Sequence, residues 1–508
     1  FWGICDLKYD PREPERERVK VLELGDGRYS KFSHHGAVIK ETMEGAYCMG
    51  KNPLKKGVMV DNKRVMHDAF VQCGLAFMRP RQFAYPRKYS PGLADRIKRD
   101  LCVGKGGAVV LKLVNRARGA GVLVCPAADL DATLRQLLQV PAGNDMEVWL
   151  QRQAPRAVQD SWSGSPLDEQ RLHFWSNESP VFVAEQLCRS EPVSAPLLGG
   201  AGAEGAFDGT MRVAFALRGA AQGGLELEWL GGYWKLPPAP AALGEPGGLA
   251  AEQLHACIIS SFNTEEKRTA EVPEAHLQAV YAALGPALTR VFELDIADWQ
   301  VLISSYPDEA AFRAFVLCRC AANLRGVGQW DKSWWLLDRA AKHVQVARPK
   351  DPGCLPERAV LSYVERTRGT NFAMKEEWGK ATPHFERALD LLPSSASAYY
   401  LKGVALQERQ RWEKAADCHL RALALDPDFR TPAMALSECW SRLGRFEQAI
   451  EASLACLHRQ PDAAVAQYNM AQAAYQLLRQ GHQASEEELR RLRRLALDSL
   501  DAAESSPF

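Results

Sequence analysis

Three stretches near the C-terminal end line up without a gap: WGKATPHFERALDLLP (378–393), WEKAADCHLRALALDP (412–427) and FEQAIEASLACLHRQP (446–461). Their closing prolines, Pro393, Pro427 and Pro461, are 34 residues apart at both steps. The alanines Ala381, Ala415 and Ala449 keep that step, and so do Gly369 and Gly403. A fixed step of this length dictates helical hairpins. Small residues recur where helices must approach closely, and proline recurs where a helix has to stop. One such unit cannot bury its apolar face alone, so neighbours must stack.

The pattern resembles the tetratricopeptide repeat. The resemblance implies an α-solenoid over residues 311–508 that meets a protein partner on its concave face. An irregular earlier unit is WDKSWWLLDRAAKH (330–343), with Ser333 in the alanine slot. Ser333 precedes Ala381 by 48 residues, so a longer connection, ARPKDPGCLPER, intervenes. A polar helix near ASEEELRRLRRLALDSL (484–500) is expected to cap the stack. Lys402, Arg409 and Arg411 are candidates for holding an acidic peptide tail, against the plainer reading of a solvated face.

The chain has 508 residues, a net charge of +1 and 46% hydrophobic residues, enough for several cores. Near-neutral charge argues against nucleic acid or an anionic membrane as partner. The 13 cysteines include no Cys-x-x-Cys pair, which points to reduced thiols and a cytoplasmic location, not a structural zinc site. No apolar run reaches the roughly 18–20 residues of a membrane-spanning helix. The opening FWGICDLKYDPREPERERVK lacks the apolar core of a secretory signal. Because the chain opens on Phe1, a trimmed leader stays an open alternative.

Residues 1–275 read as mixed α and β. Strand-like runs are VKVLEL (19–24), AVVLKLV (108–114), MEVWLQRQ (146–153), SPVFVAEQL (179–187), TMRVAFAL (210–217) and LELEWLGGYWKL (225–236). Helical patterns are NKRVMHDAFVQCGL (62–75), SPGLADRIKRDL (90–101) and DLDATLRQLL (129–138). Two small-residue and proline-rich stretches, 195–209 and 236–248, read as loops that cover a site.

Lys112 stands inside an apolar strand, and the turn NRARGAG follows it (115–121). A lysine in an apolar strand is unfavourable unless an anion meets it. A glycine-rich turn lets backbone N–H groups approach that anion, and arginines add charge. A phosphate chain fits. Three further stretches extend the pattern: a lysine opening a helix at 63, acids at the end of an apolar strand at 185 and 191, and FDGTMRVAFALRG at 207–219.

In this order the stretches resemble the ATP-grasp superfamily. The resemblance implies an α+β fold in which two α/β subdomains sandwich a nucleotide. Its boundaries would be a preceding subdomain over 1–60, the core over 61–275 and a helical connector over 276–310. It implies ATP phosphate contacts from Lys63 and Lys112, and a phosphate-covering loop of Asn115, Arg116, Arg118, Gly119 and Gly121. Glu185 would accept from the adenine amino group, Gln186 and Leu187 would supply backbone hinge contacts, and Glu191 would accept from the ribose hydroxyls. Arg212 and Lys235 would face the transferring phosphoryl group as catalytic cations.

The family's Mg²⁺ site, an acid and a later Glu-x-Asn, has no clear match. The nearest candidates are Asp208, Glu226, Glu228 and Asn263; a looser match, Glu293 with Asp295, reads as helical packing. Within 22–40, LGDG and then AVIK are similar to a protein kinase, but no His-Arg-Asp or Asp-Phe-Gly follows. Asp26, Arg28 and Ser30 are instead candidate substrate contacts.

The resemblance implies an ADP-forming carboxylate–amine ligase using ATP and Mg²⁺. Its carboxylate and amine substrates include a peptide or protein, with a protein partner on the repeats. The alternatives are a phosphoryl or nucleotidyl transferase, or a nucleotide-binding scaffold without turnover.

Overall fold

The computed structural model describes residues 7–9, 19–21, 62–116, 120–141, 143–154, 157, 166–190, 192–194, 205–219, 224–241, 249–258, 269–294, 310–326, 329–344, 355–427, 429–459, 463–479, 494 and 497. By contact the chain divides into two compact units, Phe1–Leu134 with Val181–His343, and Arg135–Pro180 with Val344–Phe508. The interruption at 135–180 has no counterpart in the sequence reading.

Among the described residues, the first unit holds three antiparallel sheets. Strands β1 (Leu7–Tyr9) and β2 (Val19–Val21) pair with each other. Strands β3 (Gln82–Pro86), β4 (Ala108–Leu113), β5 (Val122–Pro126) and β6 (Val181–Gln186) form one sheet in the order β3-β6-β4-β5. Strands β7 (Thr210–Gly219), β8 (Leu225–Lys235) and β9 (Thr269–Glu271) form another in chain order.

The alternation of β4 and β6 sorts the four-stranded sheet into two faces. One face carries Tyr85, Val109, Leu111 and Phe182, all buried. Helix Leu93–Leu101 covers it with Leu93, Ala94, Ile97 and Leu101. Tyr85 fixes that packing: its ring stands 5.8 Å from Phe182, and its hydroxyl donates to Asp100 at 2.9 Å. The opposite face carries Ala108, Val110 and Val124, which pack against Leu254 of helix Ala251–Ile258. On that second face register also places Gln82 and Glu185 opposite each other, and Lys112 two residues along from Val110.

Gly121 ends the hairpin between β4 and β5. Its φ of +65° lies in the left-handed region, and a Cβ there would come within 2.7 Å of Leu113 Cγ. Its N-terminal partner is helix Lys63–Gln72, started by Asn62, whose side chain accepts from Arg64 N at 3.0 Å and Val65 N at 3.2 Å. In the three-stranded sheet, Trp229 stacks on Tyr281 of helix Glu274–Glu293 at 4.2 Å. Helices Ala310–Gly326 and Trp330–His343, expected to begin the solenoid, cluster with this unit, and Ser333 is fully buried in its alanine slot.

The second unit is all-helical among the described residues. Helix pairs Leu355–Ala373 with Trp378–Leu391, Ala396–Gln407 with Trp412–Leu425, and Arg430–Arg442 with Phe446–Arg459 lead to helix Ala464–Arg479. The second helices begin at 378, 412 and 446, a 34-residue step, and Ala381, Ala415 and Ala449 are fully buried. The chain is thus a helical-repeat array of tetratricopeptide type over 355–479. The turn inside each pair needs one left-handed residue: Glu376 (φ 60°), Gln410 (φ 57°) and Gly444 (φ 74°) share the step.

MEVWLQRQ, read as a strand, lies in helix Asn144–Gln153. Met146 and Leu150 are four apart and buried on one helical face, while Asp145 and Glu147 suit the first turn. A short apolar run does not separate the two periods. This helix and Pro166–Ser176 put Met146, Leu150, Leu172 and Trp175 into the core of the repeats. Arg421 clamps Glu147 through two bonds, 2.6 and 2.9 Å.

Pro393 and Pro427 fall in turns after their helices, whereas Pro461 and most of the expected cap lie outside the described residues. So do most of the loops 195–209 and 236–248, and Asp26, Arg28, Ser30 and Asp295. Among the described residues, no helix is long and apolar enough to cross a membrane.

Candidate functional site

Two neighbouring strands bring the central candidates together. Val110 of β4 stands opposite Glu185 of β6, so Lys112 is the diagonal neighbour of Glu185 on one face. Lys112 Nζ forms an ion pair with Glu185 Oε2. The ATP-grasp resemblance gives these groups to two parts of one nucleotide; the antiparallel register also pairs them with each other.

Lys63 reaches the same hairpin from the start of its helix. Its ammonium donates to the carbonyl of Leu113 at 2.7 Å and to that of Arg116, and its backbone N–H donates to Val114 at 2.9 Å. It therefore fastens the loop that follows β4 by its carbonyl oxygens, where a direct phosphate contact was expected. Gly121, expected to touch phosphate, serves as the steric corner of that hairpin.

Three residues that no motif flagged surround Glu185. Gln82 stands directly opposite it on β3 and is 7% exposed. Both amide atoms of Gln82, Nδ1 of His67, Nε of Arg79 and Oδ1 of Asn115 are shielded from solvent with no hydrogen-bond partner among the described residues. Burial, then the charge of Arg79, holds the His67 imidazole below its ordinary range, while Glu185 pulls the other way. Burial also lowers Arg79, against the pull of Glu185. An unsatisfied buried polar atom is unfavourable by about 1–3 kcal/mol, and this cluster carries several such atoms among the described residues. The available signal was a glutamine opening an apolar strand, which a sequence shows constantly.

The expected hinge is half engaged. The N–H of Gln186 donates to Arg81 O at 2.9 Å, and Leu187 packs against the apolar patch of Val110, Val124 and Leu254. Gln186 N–H is therefore spent on the sheet. Glu191, Arg118, Gly119 and Asn263 lie outside the described residues.

Arg212 and Lys235 form a second group on the β7–β8 hairpin. Lys235 pairs with Thr210 and Arg212 with Tyr233, which puts both cations on one face as diagonal neighbours. Burial, then the charge of Arg212, pushes Lys235 down to about 8.

The metal candidates do not assemble. Asp208 accepts from Ser190 N at 2.8 Å and Arg189 Nε at 3.2 Å, which ties the segment after β6 to the start of β7. Glu228 pairs with Ala216 and Glu226 with Arg218, six and eight residues along from Thr210. At the usual rise this is about 20 Å or more from the Asp208 end. No single Mg²⁺ spans that separation, and among the described residues no group of three acids, histidines or cysteines converges. Glu293, the last residue of its helix, accepts from Leu225 N at the start of β8 at 3.1 Å.

No family model matches the chain, and no curated protein matches it. Among solved structures, MamA AMB-1 is similar at 16% identity over 38% of this chain and 96% of its own, with a TM-score of 0.28. A MamA fragment from Desulfovibrio magneticus RS-1 matches at 14% identity over 38% and 97%, with a TM-score of 0.30. The repeat assignment stands on this chain's own recurrence of helix starts.

Proposed function

We propose that the first unit binds an adenine nucleotide on the face of β3-β6-β4-β5 and uses it to join a carboxylate to an amine, as an ADP-forming ligase. The helical repeats hold a protein partner or a peptide substrate. The observation that carries this reading is the cluster of Gln82, Glu185 and Lys112 on one face, with buried donors and acceptors left to satisfy beside an apolar patch. A flat base with polar edges and an anionic tail suits such a surface.

When bound, ATP supplies the phosphoryl group that turns a carboxylate oxygen into a leaving group. Glu185 accepts from the amino group of the base, and Gln82 offers a donor and an acceptor beside it. Lys112 offers its remaining N–H donors to phosphate. Lys63 keeps the covering loop in place through its carbonyls. Arg212 and Lys235 offset negative charge that develops during transfer.

Nucleotide binding without turnover is the second reading. It is favoured by Asp208 being held by Arg189 and Ser190, and by the distance to Glu226 and Glu228. No step is assigned to Mg²⁺, because its candidate ligands do not fit one ion.

The test is purified chain with Mg-ATP and a panel of amino acids and peptides. ADP and phosphate released only when both carboxylate and amine are present support the ligase. AMP or a phosphorylated product indicates a transferase. Stabilisation by ATP with no hydrolysis indicates the scaffold.

A further inference from the structure

The β7-β8-β9 sheet has two unlike faces. Helix Glu274–Glu293 covers one of them. There Trp229 stacks on Tyr281 at 4.2 Å, Phe215 stands 6.3 Å from Phe292, and a Cβ on Gly232 would meet Leu277 Cδ2 at 2.7 Å. Register puts Arg212, Tyr233 and Glu271 side by side on the other face, one from each strand. Lys235 lies two residues along from Tyr233 on that same face, diagonal to Arg212.

The acid and the cations are kept apart in this row. Arg212 and Glu271 are separated by two strand spacings, about 10 Å. Burial, then the charge of Arg212, lowers Lys235, and no pull from Glu271 offsets it. Glu271 is exposed, and among the described residues no ion pair or hydrogen bond engages the Arg212 guanidinium. The next row toward the hairpin turn is small. Ala214 stands opposite Gly231, and a Cβ built on Gly231 meets no atom within 4 Å. The face is therefore open beside its charged row.

A small dipolar ligand suits this pattern. The ammonium and carboxylate of an α-amino acid are about 3 Å apart, and an ionic hydrogen bond at each end adds about 2.8 Å. Together these lengths cover about 9 Å, close to the span from Arg212 to Glu271. A plain carboxylate gains nothing from Glu271, and a plain amine is repelled by the two cations.

We propose that this face binds a small α-amino acid as a zwitterion. Arg212, with Lys235 beside it, takes the carboxylate, and Glu271 accepts from the ammonium. The side chain lies over Ala214 and Gly231. The proposal rests on the ligase reading only where it makes this amino acid the carboxylate substrate: the cations that offset charge during transfer are the ones that hold its carboxylate. Binding itself needs no nucleotide.

The test is equilibrium dialysis of the full chain, without ATP, against radiolabelled L-alanine and L-serine, with propionate and ethylamine as comparisons. At least one of the two amino acids should bind about tenfold or more tighter than propionate or ethylamine. Glu271→Gln, at an exposed position, should weaken that binding by about tenfold and leave propionate binding unchanged. Arg212→Met should weaken both. Ala214→Leu, checked for its fold by circular dichroism, should abolish amino-acid binding by filling the floor. No binding of either amino acid, propionate binding as tightly, or indifference to Glu271→Gln or Ala214→Leu overturns the proposal. Amino-acid binding with these sensitivities but no ADP release counts only against the ligase.

Discussion

Lys112 on β4 and Glu185 on β6 form an ion pair across adjacent antiparallel strands, with Glu185 only 4% exposed. Removing Lys112 strips the buried Glu185 of its ion-pair partner and leaves only the nearby charge of Arg79. Lys112→Met should therefore destabilise the first unit by about 3 kcal/mol, and Lys112→Met/Glu185→Leu should recover most of that loss. Urea midpoints of the two variants check this. Equal midpoints for the single and double variants would show that the pair is not coupled.

Gly403 faces the ring of His419, which is held by Gln407 at 2.9 Å and stands 5.7 Å from Tyr400. A methyl group there has nowhere to go, so Gly403→Ala should destabilise the repeats by about 1–3 kcal/mol. Gly379→Ala, with open space at its Cβ, should instead stabilise its helix by about 0.5–1 kcal/mol. Opposite shifts of melting temperature are the expected result.

Gln410 adopts a left-handed φ of 57° where the next repeat has Gly444 at 74°. A side chain in that region is strained by about 1 kcal/mol. Gln410→Gly should raise stability by up to that amount, and Gly444→Ala should lower it by a similar amount. Thermal unfolding followed by helical circular dichroism reads both.

His419 is fully buried, and burial pushes its imidazole down to about 3. The unfolded chain takes up that proton near pH 6.5, whereas the folded chain holds it off until about pH 3. The unfolded state thus binds more protons across this window, so stability falls as pH drops from about 6.5 toward 3. His419→Gln should flatten that part of the stability profile measured by urea titration at successive pH values.

Much of the helical array was legible because one physical signal repeats. Alanine at 381, 415 and 449 marks helix contacts, and Gly403 marks the closest approach. The strands β4, β6, β7 and β8 announced themselves through β-branched and aromatic runs. Long-range pairing was not legible: nothing local says that Gln82 stands opposite Glu185, or that Asp208 is taken by Arg189. The same limit hid the helix at 144–153, whose buried Met146 and Leu150 serve a core made by residues more than 240 positions later (396 − 150 = 246). Lys63 was correctly placed at the start of a helix, but its carbonyl partners at 113 and 116 depend on the hairpin's path.

The most direct test of the central claim is an ATP binding isotherm on the full chain, measured by calorimetry for wild type, Gln82→Leu and Lys235→Met across pH 7–10. The account predicts that wild type binds ATP and that Gln82→Leu binds at least several-fold more weakly. It also predicts that affinity falls as pH rises through about 8, where Lys235 loses its charge, and that Lys235→Met abolishes that dependence. No binding by wild type, or binding that neither substitution alters, would contradict it.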